Sequence, residues 1–211
     1  MPGQTPPDQR TYMTRLDFLR HGQPEGGNRF RGNGVDDPLS ARGWTQMRAT
    51  AATIDDWQLI VSSPMQRCHA FAKWLSRERA LPLSIDADLR EVGFGSWEGV
   101  TREELMTERR EEYASFYRDP VNNRPPGAEP LADFGDRVGR AFERLLQTYA
   151  GERVLVVAHA GVIRAAVGHV LESPPACWYR SDVANAAVTR FERDPEATRL
   201  VFHNWLPSLS G

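Results

Sequence analysis

The sequence predicts an α/β fold: a three-layer sandwich in which a mostly parallel central sheet is flanked by helices on both faces. Three observations carry the prediction. Short aliphatic runs alternate with longer helical patterns along the chain, as in strand–helix–strand units. The run Val154-Leu155-Val156-Val157 is apolar without interruption, which fits a central parallel strand covered on both sides. The 211 residues show neither an internal repeat nor a linker, so a single domain is expected.

Taken in order, residues 1–13 hold Pro2, Gly3, Pro6 and Pro7 among polar residues. They lack an apolar signal-peptide segment and are expected to form a flexible leader to a domain spanning 14–211. Arg15 to Leu19 reads as a strand ending at Arg20-His21-Gly22, followed by a long loop rich in glycine and proline through Pro38. Ser40 is placed as the N-cap of a helix over 41–53. Leu59-Ile60-Val61 is a short buried strand, and Pro64 suits the first turn of the next helix, whose Phe71, Trp74 and Leu75 recur at helical spacing. A turn-rich segment holds Glu91, Trp97 and Glu98. Helices are expected over about 102–117 and 131–149, separated by Arg124-Pro125-Pro126-Gly127. After the strand at 154–157 come His159, Ala160, Gly161 and a helical run through Leu171. Strands at 186–192 and 199–205 close the chain.

Composition excludes several classes. Mean hydropathy is −0.52, and no unbroken apolar stretch reaches the ~18 residues of a membrane span. The formal net charge is −2, unlike the basic excess of a protein that coats nucleic acid. Neither a membrane nor a nucleic-acid partner is expected, and a reducing cytoplasm is the expected compartment. Cys68 and Cys177 are too few for a disulfide framework and lack zinc-ligand spacing; both are read as small buried hydrophobes. Lys73 is the sole lysine, every other Lys/Arg position being arginine, the residue that binds phosphate and carboxylate with a bidentate fork.

Ligands of open parallel sheets bind outside the carboxyl ends of the strands. Three such ends offer Arg20 with His21, Ser62-Ser63 with Arg67 one turn into a helix, and His159 at a helix start. Two histidines, two arginines and a helix N-terminus around one crevice suit a phosphate dianion. Arginine forks and helix-end amides hold its oxygens, and a neutral imidazole can attack phosphorus. Singly, each residue has a plainer reading as a turn residue, a salt-bridged side chain or a helix entry.

The motifs go further. Leu19-Arg20-His21-Gly22 closely resembles the Arg-His-Gly signature of the histidine phosphatase superfamily, which includes cofactor-dependent phosphoglycerate mutase. Arg29-Phe30-Arg31-Gly32, Asp37-Pro38-Leu39-Ser40 and Gly43 resemble its loop and first helix. Ser62-Ser63-Pro64-Met65-Gln66-Arg67 resembles its second motif, and Leu89-Arg90-Glu91 through Trp97-Glu98-Gly99 its acid-bearing loop. Pro126-Gly127-Ala128-Glu129 is similar to a Pro-Gly-Gly-Glu element, and Val157-Ala158-His159-Ala160-Gly161 to the segment with the second histidine. Ala128 and Ala160 stand where glycine is usual. An asparagine common after Arg-His-Gly has no clean counterpart, and Asn28 is not assigned that role.

The resemblance implies a phosphoglycerate mutase-like fold and a hydrolase of the histidine acid phosphatase type. His21 would be the nucleophile, with Arg20, Arg67 and His159 holding the non-bridging oxygens. Glu91 would protonate the leaving oxygen and then help activate water, which requires it to carry a proton near neutral pH. Glu98 and Glu129 are weaker candidates for that role, and pairing with Arg90 or Arg102 is the plainer reading of Glu91. Gln23, Arg31, Gly32 and Ala160 are candidate substrate contacts, and Trp97 is read as either a pocket cover or loop packing. No metal or other cofactor is expected. The chain lacks the extra length of a mutase, which favours hydrolysis of a small phosphorylated metabolite. The loop pattern resembles α-ribazole phosphatase-like members, which points to α-ribazole 5′-phosphate. A mutase-type transferase and a non-catalytic phosphate-binding domain remain as alternatives, and a homodimer is one option for assembly.

Overall fold

A computed structural model describes residues 13–207. The expected leader, Met13 apart, lies outside the described residues. Six strands form one sheet in the order β3-β2-β4-β1-β5-β6. They are β1 (Thr14–Arg20), β2 (Leu59–Ser62), β3 (Leu83–Ile85), β4 (Arg153–Ala158), β5 (Val188–Arg193) and β6 (Thr198–Trp205). The first four run parallel, while β5 pairs antiparallel with β1 and with β6.

Alternation along β4 explains why its sequence is apolar throughout. Val154 and Val156 enter one core with Phe134, Val138 and Phe142 of α5 (Leu131–Thr148) and Ile163 of α6 (Ala160–Val170). Leu155 and Val157 enter a second core with Met47 of α1 (Ala41–Ala52) and Phe71 and Leu75 of α2 (Gln66–Arg79). Period-two side chains feed both faces, producing the three layers that the sequence predicts. Ser40 caps α1 as expected, its Oγ accepting from Gly43 N at 3.1 Å and donating to Gln23 O at 2.8 Å. The loop after β1 packs backbone to backbone on this turn. A Cβ at Gly22 would lie 2.2 Å from Gly43 O.

The expected helix over 102–117 is two helices, α3 (Arg102–Glu108) and α4 (Arg110–Arg118). The backbone leaves helical geometry at Arg109 (φ −130°, ψ 41°), whose guanidinium pairs with Glu112 at 2.6 and 2.9 Å. Glu112 also accepts from Trp97 Nε1, while Tyr113 stacks on Trp97 with centroids 6.1 Å apart and Phe116 packs tilted against it at 5.0 Å. Trp97 is therefore fully buried packing, not a pocket cover. β3 has no counterpart in the sequence reading, and Ala186 precedes β5 with a left-handed φ of 60°. Cys68 is buried as expected, but Cys177 is only half-buried.

One buried ion pair ties the sheet together. Asp17 of β1 is completely enclosed and accepts from Arg190 of β5 at 2.7 and 3.0 Å and from Trp57 Nε1 at 2.8 Å. Removing a buried partner leaves the other charge uncompensated. Asp17→Ala is expected to lower the unfolding free energy by about 3 kcal/mol or more, read as an earlier urea midpoint at unchanged slope. A loss below about 1 kcal/mol, the range of exposed pairs, would contradict the assignment.

Candidate active site

Adjacent parallel strands fix the centre of the site. Arg20 of β1 is in register with Ala158 of β4, so the next residue on each strand is a histidine. The rings of His21 and His159 meet edge to face with centroids 5.2 Å apart. At the end of β2, Ser63 reaches His159, Oγ to Nε2, at 2.8 Å. Arg67 in the first turn of α2 completes the cluster.

His21 has a defined tautomer. Its Nδ1 lies 2.8 Å from the Gly22 carbonyl, which can only accept, so Nδ1 carries the hydrogen and Nε2 keeps its lone pair. Burial, then Arg67, then Arg20 hold its pKa well below the ordinary imidazole value. His159 is shifted the same way by burial and then Arg67. The two rings are thus neutral neighbours of two guanidinium groups. His159 is fully enclosed, and Cys68 Sγ lies 3.5 Å from its Nε2. Burial pushes the Cys68 thiol up, so the sulfur stays protonated.

The arginines are held but not saturated. Arg67, 1% exposed, donates to Val35 O and Gly32 O, each at 3.0 Å, and stands 3.5 Å from Asp36. Arg20 donates to Val183 O. In both, the Nε hydrogen is buried without an acceptor, a costly state for a polar donor. Burial, followed by the charge of Arg164, pushes the Arg20 pKa down to about 10.

Glu91 enters from the loop before α3. Its carboxylate accepts from Val92 N at 2.9 Å and from Gly161 N in the first turn of α6 at 3.2 Å. Gly161 is needed there, because a Cβ would fall 2.3 Å from Glu91 Oε1. The alternative ion pairs with Arg90 or Arg102 are not formed. Arg137 of α5 braces this loop, donating to the carbonyls of Arg90 at 2.8 Å and Glu91 at 3.1 Å and pairing with Glu129 at 2.7 Å. Glu129 is thereby occupied structurally, and Glu98 accepts from Phe94 N at 2.9 Å and Asn33 N at 3.3 Å.

These strand ends open on a cleft of about 470 Å³. Arg20, His21, Arg31, Gly32, Arg67, Glu91 and Ala160 line it; Gln23 does not, its backbone being used at the start of α1. His159 is not among the lining residues; it is fully buried, with its ring packed against that of His21. Arg31 reaches the lining with its fork largely engaged, holding Asp37 at 2.8 Å and the carbonyls of Gly27, Arg29 and Glu25. Its place is to shape the loop. The outer wall holds residues that the sequence reading missed: Arg102, Tyr113 and Tyr117 from α3 and α4, Arg164 from α6, and Tyr179. Only Arg164 had a readable signal, four residues after Ala160 on one helix face. A wider depression of about 590 Å³ beside α5 involves surface residues such as Asp136, Arg140 and Gln147 and none of the strand-end groups.

Fold and site together define a parallel-sheet protein with paired neutral histidines in an arginine-lined anion site. The chain belongs to the histidine phosphatase superfamily (branch 1), whose family model matches residues 16–206. It is 35% identical over 195 residues to a bifunctional protein of Mycobacterium tuberculosis, covering 89% of this chain but 53% of that protein. It therefore spans about half the length of that relative. It is 29% identical over 170 residues to the adenosylcobalamin/α-ribazole phosphatase of Escherichia coli, covering 78% and 83% of the two chains. Among solved structures, a mycobacterial glucosyl-3-phosphoglycerate phosphatase complexed with VO3 superposes with a TM-score of 0.79 at 30% identity, covering 90% and 98%.

Because the His21 pKa is lowered, the ring remains neutral as pH falls through the ordinary imidazole range. For an aryl phosphate, the acid limb of kcat/KM, corrected for substrate ionisation, is expected below pH 6.5. An acid limb set by an enzyme group titrating at or above 6.5 would contradict the environment described for His21.

Proposed function

We propose that the protein is a phosphomonoesterase acting through a phosphohistidine on His21. The observation that supports this best is the fixed tautomer: Gly22 takes the Nδ1 hydrogen, leaving the Nε2 lone pair as nucleophile beside two arginines with unpaired donors. In the first step Nε2 bonds to phosphorus as the ester P–O bond breaks, and protonated Glu91 gives its hydrogen to the leaving oxygen. Arg20 and Arg67 hold the non-bridging oxygens and stabilise their charge. His159, whose ring packs against His21, is assigned the third contact to those oxygens. In the second step water attacks phosphorus, Glu91 takes its proton, the P–N bond breaks and His21 returns to the neutral ring. Guanidinium groups supply the positive charge, so the scheme requires no metal.

The substrate class is a small phosphorylated metabolite. α-Ribazole 5′-phosphate brings a flat ring suited to Tyr113, Tyr117 and Tyr179 on the outer wall. A phosphorylated acid, of the kind named for the mycobacterial relative, brings a second anion suited to the arginines there. The charge balance of the cleft favours the acid.

Brief incubation with labelled phosphomonoester followed by alkaline denaturation is expected to leave acid-labile label on His21. Full hydrolysis by His21→Ala in chelator-treated buffer would overturn the nucleophile assignment. A protein that binds phosphate without either label or turnover would be the non-catalytic alternative, and efficient transfer to an acceptor alcohol the mutase-type one. Glu91→Gln is expected to lose at least ~100-fold on alkyl phosphates, the scale of general acid catalysis, and much less on p-nitrophenyl phosphate. Equal losses would rule out the acid role.

A further inference from the structure

The cleft carries more positive charge than a phosphoryl group needs. Six arginines and two acidic residues line it. Arg29 and Arg31 share the single carboxylate of Asp37 at 3.4 and 2.8 Å, and Arg67 stands 3.5 Å from Asp36. Among the described residues, Arg20, Arg102 and Arg164 have no acidic partner within salt-bridge distance. Arg20, next to His21, belongs to the phosphoryl site. The other two line the same cleft, and the reaction scheme gives them no task.

Arg164 is the better placed. It sits on α6 one turn beyond Ala160, half-buried. Its Nε donates to Ser181 O at 2.9 Å, which fixes the stem; among the described residues the terminal nitrogens have no acceptor. The guanidinium stands 5.5 Å from the Tyr179 ring centroid. It is close enough to Arg20 to be the largest charge effect on that residue, so it borders the phosphoryl site. Two nearby guanidinium groups, neither with an acidic partner within salt-bridge distance among the described residues, form a receptor for an anion. Arg102 stands further out, exposed and bound to Tyr117 Oη at 3.3 Å.

Resting on the phosphatase reading, we infer that Arg164 binds a second anionic group on the substrate, a carboxylate or further phosphate a few atoms from the scissile ester, with Arg102 attracting it at the mouth. This places phosphorylated acids above neutral sugar, alcohol and nucleoside phosphates, α-ribazole 5′-phosphate included.

The test uses matched esters. 3-Phosphoglycerate and glycerol 3-phosphate share a three-carbon skeleton and differ by a carboxylate in place of a hydroxymethyl group. The wild-type protein is expected to prefer the acid in kcat/KM by about tenfold or more, the worth of a hydrogen bond to a charged group. Arg164→Gln should collapse the acid-to-neutral ratio toward one, chiefly through KM for the acid, and Arg164→Lys should restore part of it. In the unmodified protein, rising salt should erode the same ratio, a reading independent of how the variants fold. Hydrolysis of both esters without preference, or a ratio unchanged in Arg164→Gln, overturns the second-anion subsite and leaves the phosphatase reading standing. Absence of His21-dependent hydrolysis of any ester overturns that reading itself, and the subsite with it.

Discussion

Because β1 and β4 are parallel neighbours paired Arg20 to Ala158, the chain leaves the sheet at the same level twice, each time with a histidine. Everything in the cleft is arranged around that coincidence of register. A slip of one residue on either strand would send the histidine to the opposite face of the sheet and separate the 5.2 Å ring pair. The register is well defended. Leu16 and Phe18 of β1 fill one core while Leu19 fills the other, and β4 divides its valines and leucine in the same way. Asp17 of β1, clasped by Arg190 of β5 and by Trp57, adds a polar pin that a slipped strand could not satisfy.

The electrostatics follow from this geometry. Two imidazoles and the Arg67 guanidinium are enclosed together with little opposing charge. Burial and mutual repulsion settle the competition by keeping both rings neutral, since a further positive charge in low dielectric is the costliest option available. Neutrality serves a nucleophile, and the Gly22 carbonyl decides which nitrogen is offered. Glu91 stands across the cleft, its loop braced by Arg137 and Glu129. Acid and nucleophile are thus carried by separate elements, the first by a loop and the second by a strand end.

Much of this was legible in the sequence because it is written in local chemistry. Strands that end in histidine announce a site at their carboxyl edge, and Ser40 marks the start of α1 plainly, whereas Pro64 precedes the Met65 N-cap of α2 and so lies just outside the first turn expected for it. The family resemblance covered the same residues in order, and the family match spans them. Other features were hidden for physical reasons. β3 is a three-residue strand whose Leu-Ser-Ile looks like any loop, and its pairing with β2 comes from tertiary contact. The break at Arg109 has neither glycine nor proline and depends on Trp97 and Glu112 meeting across the loop. Arg31 looked like a ligand because it is an arginine near His21, yet only the folded loop reveals the carbonyls that occupy it. Arg164 was concealed in an ordinary helical run, and its importance appears only with Arg20 beside it.

The state of the His21 ring is the claim on which the account turns, and it can be observed directly. Nitrogen-15 NMR of the histidine side chains, assigned by comparison with His21→Gln and followed from pH 8 to pH 5, reports both tautomer and charge. The account predicts a neutral His21 with hydrogen on Nδ1 and a bare Nε2, remaining so below pH 6.5. A ring carrying hydrogen on Nε2 at neutral pH, or one that takes up a second proton at the ordinary imidazole value, would contradict it.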